Sequence, residues 1–368
     1  MQSKNVSANL RRLRLARGMT MAAAAKAADI SRMAYHNIEK GKAMPRVKNL
    51  QKLAIALNVK IFDIVRPVPE LNTVRFRSRK WLTGKAKENR EQIKCEIALW
   101  LRDFSDLEKM LRVGPEKKID ALVKEERDGH ILAKKTAEKA RNLFGLKGDE
   151  IINDICGLVE SAGIRLHFID IDLKNFSGFS VNDKELGAAI IVNNNDTIST
   201  EHKIFTIAHE LGHILMHPGS FNDEPNEIEQ QEKEADNFAG HFLMPEEAFD
   251  KRLEEVKGLY FIDAILHLKR VFKVSYSAVL YRIIEKQIAD NGIWQIFRAK
   301  CYEKYGTDFK GHKEPFALGK FDCIEDRLSR LVRSAREKGL ISNSRAAEIL
   351  GVSLNEMRER ISGWMAVK

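Results

Sequence analysis

Apolar residues recur at helical spacing through the first 66 residues, which predicts a series of short helices. Gly18 ends the first of them, and Thr20 and Ser31 are well placed to cap the second and third. Gly41 closes the third helix and Pro45 starts the fourth. A short apolar run, VKIFDIV, completes the unit, so the pattern predicts a five-helix N-terminal domain that ends near two prolines.

The pattern changes further along the chain. Residues 74–125 are charged and helical in pattern, as expected of a connector. From about residue 130, amphipathic helices alternate with three β-rich runs, IRLHFIDI, SGFSV and AAIIVNN. A strongly apolar helix, TEHKIFTIAHELGHILMH, and further helices follow to about residue 288. The last segment, ISNSRAAEILGVSLNEMRERI, predicts a small helical pair, either simple core or a degenerate helix-turn-helix.

Composition narrows the class of protein. Apolar residues make up 44% and charged residues 31% of the 368 residues, a globular balance that can bury a sizeable core. No apolar run approaches the ~20 residues of a membrane span, and the N-terminus carries no secretion signal. The four cysteines show no CxxC spacing. We therefore expect a cytoplasmic protein without a membrane partner, with its cysteines reduced.

The positive charge is concentrated at the N-terminus. Residues 1–66 hold fourteen Lys and Arg but three acidic residues, whereas the whole chain has a net charge of +10. The basic excess therefore lies in this one small unit. Such segregation predicts a polyanion partner, because each phosphate contact releases counterions.

The second and third predicted helices have the arrangement of a helix-turn-helix. MAAAAKAA would support the helix Ser31–Lys40, whose exposed side chains would enter the major groove of double-stranded DNA. Arg32 can donate two hydrogen bonds to guanine, and the lysines that follow would lie near phosphates. The candidate DNA contacts are Ser31, Arg32, Met33, Tyr35, His36, Lys40, Lys42 and Arg46.

This segment resembles the XRE (Cro-repressor-like) helix-turn-helix family. The matching text runs from NLRRLRLARG to LAIALNV and includes the closing pattern of Ile38, Gly41, Lys42 and Pro45. The resemblance implies a lambda-repressor-like fold and DNA binding. One position departs from the family, because Met21 stands where the family usually has a backbone-contacting glutamine.

The apolar helix carries the motif His209-Glu210-Leu211-Gly212-His213. Residues at i and i+4 share one helix face, so His209 and His213 can bind one metal ion. Glu210 lies beside the first ligand, where it can accept a proton from a water molecule as general base. The resulting nucleophile would attack a peptide carbonyl that the metal polarises.

A catalytic zinc ion usually takes three protein ligands and keeps one open position. A metzincin-type third histidine would fall at Gly219, which disfavours that class, and His217 is a weaker candidate. We predict Glu232 as the third ligand and Asp236, four residues on, as the partner of the free ring N–H of His209. Glu234 is the rival ligand. Each residue of a helix turns by about 100°, so Glu234 points about 200° away from Glu232, and only one of the two can face the metal.

Residues 130–290 resemble the ImmA/IrrE metallopeptidase family. The matching pieces are SGFS, AIIVNNND, FTIAHELGHILMH and EKEADNFAGHFLMP. The resemblance implies a gluzincin-like, zinc-dependent endopeptidase with His209, His213 and Glu232 as ligands and Glu210 as catalytic base. It also implies a substrate class, since members of this family cut a cognate XRE-type repressor and release stress-response or mobile-element genes.

The sequence thus predicts a mainly α protein with a small α+β domain. The expected parts are a helix-turn-helix domain at 1–68, a helical connector at 69–129, a zincin domain with a small sheet at 130–290, and a C-terminal helical region at 291–368. Zn²⁺ is the expected cofactor, with Mn²⁺ left open by this ligand set. The alternative function is a DNA-binding regulator whose peptidase-like domain is a sensor or dimerisation body; a fused toxin–antitoxin component and a homodimer also stay open.

Overall fold

A computed structural model describes residues 2–67, 71, 73–75, 84–114, 129–171, 176–222, 228–307, 309 and 314–366. Parts of the predicted linker and connector, at 68–70, 76–83 and 115–128, lie outside these residues. The chain divides into two compact units. Unit 1 comprises residues 1–71, 80–114 and 326–368, and unit 2 comprises residues 72–79 and 115–325.

The predicted five-helix N-terminal domain is confirmed. Its core is built from the apolar positions of the sequence pattern, with Leu10, Leu13, Leu53 and Leu57 fully buried. Thr20 and Ser31 cap their helices by accepting hydrogen bonds from the backbone N–H of the third residue on. The helices are α1 (Gln2–Ala16), α2 (Met21–Ala27), α3 (Arg32–Glu39), α4 (Val47–Ala56) and α5 (Ile61–Val65).

The rest of unit 1 comes from α6 (Gly84–Leu111) and from the C-terminal helices α15 (Arg327–Glu337), α16 (Asn343–Leu350) and α17 (Leu354–Ala366). Asp103 of α6 is 2% exposed and binds Arg12 of α1 and Arg345 of α16, each at 2.7 Å. These charge-assisted hydrogen bonds join three distant parts of the chain, α1, α6 and α16, through one carboxylate.

The pair α16–α17 repeats the local geometry of α2–α3. The spacing between the two caps is the same in both, Thr20 to Ser31 and Ser342 to Ser353. A left-handed residue follows each first helix, Asp29 (φ 49°) or Gly351 (φ 65°). The segment therefore shares its cap spacing and its left-handed turn residue with the N-terminal helix-turn-helix.

Unit 2 is built around a four-stranded sheet of order β1-β3-β4-β2. β2 and β4 are parallel, whereas β3 is antiparallel to both β4 and β1. Three of these strands coincide with the predicted β-rich runs, and β1 is new. The strands are β1 (Val74–Arg75), β2 (Arg165–Ile169), β3 (Gly178–Asp183) and β4 (Gly187–Asn193).

Helices surround the sheet and bury one continuous core. Gly212 lets α9 and α10 approach closely, because a Cβ atom there would lie 2.9 Å from Cδ1 of Phe238. The helices are α7 (Gly129–Leu143), α8 (Ile155–Ser161), α9 (Thr200–Met216), α10 (Glu229–Leu243), α11 (Glu246–Glu255), α12 (Phe261–Phe272), α13 (Tyr276–Glu285) and α14 (Ile293–Tyr305).

The units divide the chain differently from the predicted segments. The predicted connector contributes β1 to unit 2 and α6 to unit 1. The predicted C-terminal region contributes α14 to unit 2 and its last three helices to unit 1. The reason is physical: α6 is placed by long-range contacts, such as the ion pairs of Asp103 and the burial of Leu101 and Phe104, and local patterning does not contain them. The mainly α fold with one small sheet agrees with the prediction.

Candidate metal centre and nucleic-acid interface

His209 and His213 lie one turn apart on α9 and are both 1% exposed. Their Nε2 atoms face each other at 3.0 Å. This is what an i, i+4 pair on an apolar helix produces, because both side chains project from the same face. The two rings therefore offer two nitrogen donors to one point.

Glu232 of α10 closes the cluster. Its Oε2 lies 3.3 Å from Nε2 of His209, and its Oε1 lies 3.3 Å from Nε2 of His213. Ligand bonds of ~2.0–2.1 Å in tetrahedral arrangement place neighbouring donor atoms about 3.3 Å apart. The three side chains thus form a group that can hold a metal ion, and its nitrogen and oxygen donors suit zinc.

The outer ring nitrogens are held by a second set of polar groups. Nδ1 of His209 lies 2.8 Å from Asp236 Oδ1, the partner that the sequence predicts. Nδ1 of His213 lies 2.9 Å from Nδ1 of His217, whose Nε2 lies 2.8 Å from Glu234 Oε2. Such contacts fix ring orientation and tautomer. The structure places Glu234 on His217, outside the cluster, and brings Glu232 into it.

Burial and hydrogen bonding set the protonation states expected in the cluster. Burial lowers the pKa of His213 well below its ordinary value, so this ring is neutral. Burial also lowers the pKa of His217. For Glu232, burial works to raise the pKa, but hydrogen bonds from His209 and His213 outweigh it and lower the pKa, which keeps the carboxylate ionised.

Glu210 is 2% exposed, and its Oε2 accepts a hydrogen bond of 2.5 Å from the hydroxyl of Ser180 on β3. Sequence reasoning missed Ser180. The only signal was its place in the SGFS run, which does not show that β3 lies beside α9. This bond fixes the orientation of the Glu210 carboxylate.

Arg75 is the second residue that sequence reasoning missed. Its guanidinium is buried and donates to Glu232 Oε1 at 2.8 Å and to Gln231 at 2.9 Å. The residue belongs to β1, far from the motif in sequence, so no local pattern could have revealed it.

The predicted DNA-contacting surface lies around α3. Met33 is 67% exposed, and Ser31, Arg32, Lys40, Lys42 and Arg46 are also exposed, whereas His36 is half-buried. Tyr35 corrects the prediction, because it is fully buried in the domain core and presents no surface to a groove. Its position three residues into α3 turns it toward the other helices.

Part of the basic excess is structural. Arg14 forms a buried ion pair with Glu39, with 2.7 Å between Nη2 and Oε1, and Arg12 binds Asp103. The exposed cations nearer α3 therefore carry the charge available to a polyanion.

Comparison with known families finds a match for each of the two segments. Residues 10–64 match a family model described as helix-turn-helix, and residues 159–283 match one described as the IrrE N-terminal-like domain. The first match supports DNA binding, and the second supports a metallopeptidase-like domain. A search of curated proteins returns no match to the chain. Within the described residues, no helix combines the length and apolarity needed to cross a membrane.

Proposed function

We propose that this chain, which joins an XRE-type helix-turn-helix domain to an ImmA/IrrE-type metallopeptidase-like domain, is a DNA-binding regulator with zinc-dependent endopeptidase activity. The observation that carries the proposal is the buried cluster of His209, His213 and Glu232 beside Glu210. The proposed substrate is a cognate XRE-type transcriptional repressor, the substrate class that the family resemblance implies.

The chain's own residues would divide the work of peptide hydrolysis. His209, His213 and Glu232 would hold zinc, which when bound supplies Lewis acidity toward water and a peptide carbonyl. Glu210, oriented by Ser180, would take the proton from the attacking water and pass it to the leaving amine. Asp236 and His217 would keep the two ring nitrogens of the ligands directed inward.

Two modules in one chain make physical sense for such a target. The exposed surface of α3 would hold the chain on DNA near bound repressor, which raises the local concentration of substrate. This arrangement favours slow and selective cleavage over general degradation.

The direct test compares zinc-loaded wild type with Glu210→Gln for cleavage of XRE-type repressors encoded near its gene. Loss of the general base should lower the cleavage rate by 10²–10⁴-fold (roughly) while zinc content and fold are kept. Glu229→Gln is the matched control, because Glu229 lies on α10 with its side chain 83% exposed. Equal cleavage by wild type and Glu210→Gln would rule out the proposed mechanism.

One observation favours the alternative of a sensor domain without significant proteolysis. All four residues of the centre are nearly inaccessible, from 1% to 7% exposed. A regulator that senses zinc needs no peptide access. If Glu210→Gln retains the full regulatory effect in cells, the sensor function holds and proteolysis does not.

A further inference from the structure

The strand β3, which carries Ser180 next to the proposed catalytic base Glu210, is paired along its outer edge with β1. β1 lies antiparallel on the outer edge of β3, with Val74 opposite Val181 and Arg75 opposite Ser180. Ser180 is the residue that binds Glu210. The sheet edge nearest the proposed catalytic base is therefore covered by residues 73–75.

The contacts of β1 are those of a bound extended peptide. The backbone N–H of Asn182 donates to the carbonyl of Thr73 at 3.2 Å, and the Thr73 hydroxyl donates to Asp183 at 2.8 Å. Val74 is fully buried. Main-chain pairing and alternating side-chain pockets are how a sheet edge recognises a peptide strand.

Arg75 carries this strand into the centre itself. Opposite residues of an antiparallel pair project from the same face, so Arg75 and Ser180 both point toward the centre. The guanidinium binds one oxygen of Glu232, and its exposed fraction is 4%. A buried guanidinium–carboxylate pair is costly to break from one side only, which makes Arg75 the anchor of β1.

We propose that β1 is an internal pseudosubstrate. The outer edge of β3 is the surface that binds an extended peptide antiparallel to β3, with an arginine opposite Ser180, and residues 73–75 occupy it. This inference deepens the proposed function and rests on it, because the term pseudosubstrate assumes that the domain cleaves peptides. It explains why the centre is buried, and it adds a sequence preference: a target peptide with arginine at the position of Arg75.

The place of β1 in the chain suits a removable strand. Its paired part is two residues long, and in sequence it stands between α5 and α6, which both belong to unit 1. A two-residue strand has few main-chain bonds to lose, so release needs little beyond the Arg75 anchor.

The test measures peptide binding without cleavage. The probe is a fluorescein-labelled peptide with the sequence of residues 71–79, LNTVRFRSR, titrated by anisotropy into full-length, zinc-loaded Glu210→Gln protein. Adding Arg75→Ala should tighten probe binding by about tenfold or more, because the internal strand loses its anchor while the probe keeps its own arginine. Arg330→Ala, an exposed arginine of α15, is the matched control and should leave binding unchanged.

A second variant protects the test against misfolding. Val74→Asp places a carboxylate at a fully buried position and should release β1 while Arg75 is kept, again tightening probe binding. A probe with alanine at its Arg75 position should bind the released proteins about tenfold more weakly.

The outcomes separate the two proposals. Equal probe binding in the parent protein and in both released variants, with unchanged thermal unfolding, overturns the pseudosubstrate. Tight binding only after release, together with no cleavage by protein that retains Glu210, overturns the peptidase function and leaves the peptide-binding edge standing.

Discussion

Three acidic residues of α10 show that the position along a helix decides which side chain reaches the metal cluster. Glu232 reaches the two imidazoles, and Asp236, one turn on, reaches the outer nitrogen of His209. Glu234 points elsewhere and binds His217. Helical geometry therefore separates one ligand candidate from two orienting carboxylates within a single turn and a half.

Glu314 is an acidic residue outside the metal cluster whose side chain is 7% exposed. Its burial makes the free energy of unfolding depend on pH. Its carboxylate lies 3.7 Å from Lys269, which binds Glu201 at 2.5 Å. Burial raises the pKa of Glu314 from its ordinary value of 4.5 to about 7. Because the folded state holds this proton more tightly than the unfolded state, the free energy of unfolding falls as pH rises from 4.5 to 7.

Glu314→Gln should therefore raise the free energy of unfolding at pH 8 by up to about 3 kcal/mol and leave it nearly unchanged at pH 4.5. Glutamine keeps an acceptor for the backbone N–H of Tyr276. Urea unfolding at both pH values measures the effect, with Glu303→Gln as control, because the Glu303 side chain on α14 is 70% exposed. A destabilised variant at pH 8 would show that attraction to Lys269 exceeds the burial cost.

At the scale of elements, the turns of α2–α3 and of α16–α17 both depend on a left-handed residue. In both turns the backbone N–H of the residue that follows the left-handed one bonds to the carbonyl five residues back, Ile30 to Ala25 and Val352 to Ala347. This hydrogen bond satisfies a carbonyl at the end of the helix, and it requires a positive φ at the residue just before the donor. Glycine serves this purpose at 351, whereas Asp29 tolerates it at some cost.

Two glycines near the C-terminus should respond oppositely to the same substitution. Gly351→Ala should lower the free energy of unfolding by about 1 kcal/mol, because φ is +65° there. Gly363→Ala, inside α17, should raise it by about 0.5–1 kcal/mol through helix propensity. Neither new Cβ meets a heavy atom within 4 Å, so thermal unfolding of the two variants reports backbone preference alone. Changes of the same sign would contradict the assignment of the turn.

The elements also show what the sequence could and could not predict. The helices of the N-terminal domain, the three β-rich runs and the His209–His213 pair follow from local spacing, and the structure contains them. Ser180 and Arg75 could not be predicted, because they reach the centre through strand pairing over long sequence separation. The prediction of Tyr35 as a DNA contact was wrong, because an aromatic residue on a basic helix fits the core as well as the surface.

For the whole molecule, the two units have separate cores. The apolar core of the N-terminal domain and the larger core of unit 2 share no residue among those described. Units with their own cores unfold as separate cooperative transitions unless an interface couples them. The division also assigns the expected ligands, with DNA to unit 1 and zinc to unit 2.

Each ligand should therefore stabilise one transition. Zinc at ~100 times its Kd adds about 2.7 kcal/mol to the state that binds it, which raises the Tm of unit 2 by roughly 5–10 °C. A DNA duplex in like excess should raise the other transition instead. Calorimetry of wild type and Glu232→Gln tests whether zinc binds at these donors, because the variant should lose the response to zinc and keep the response to DNA. If zinc moved both transitions of the wild type equally, or still acted on Glu232→Gln, the metal would bind elsewhere than at the three converging donors of α9 and α10.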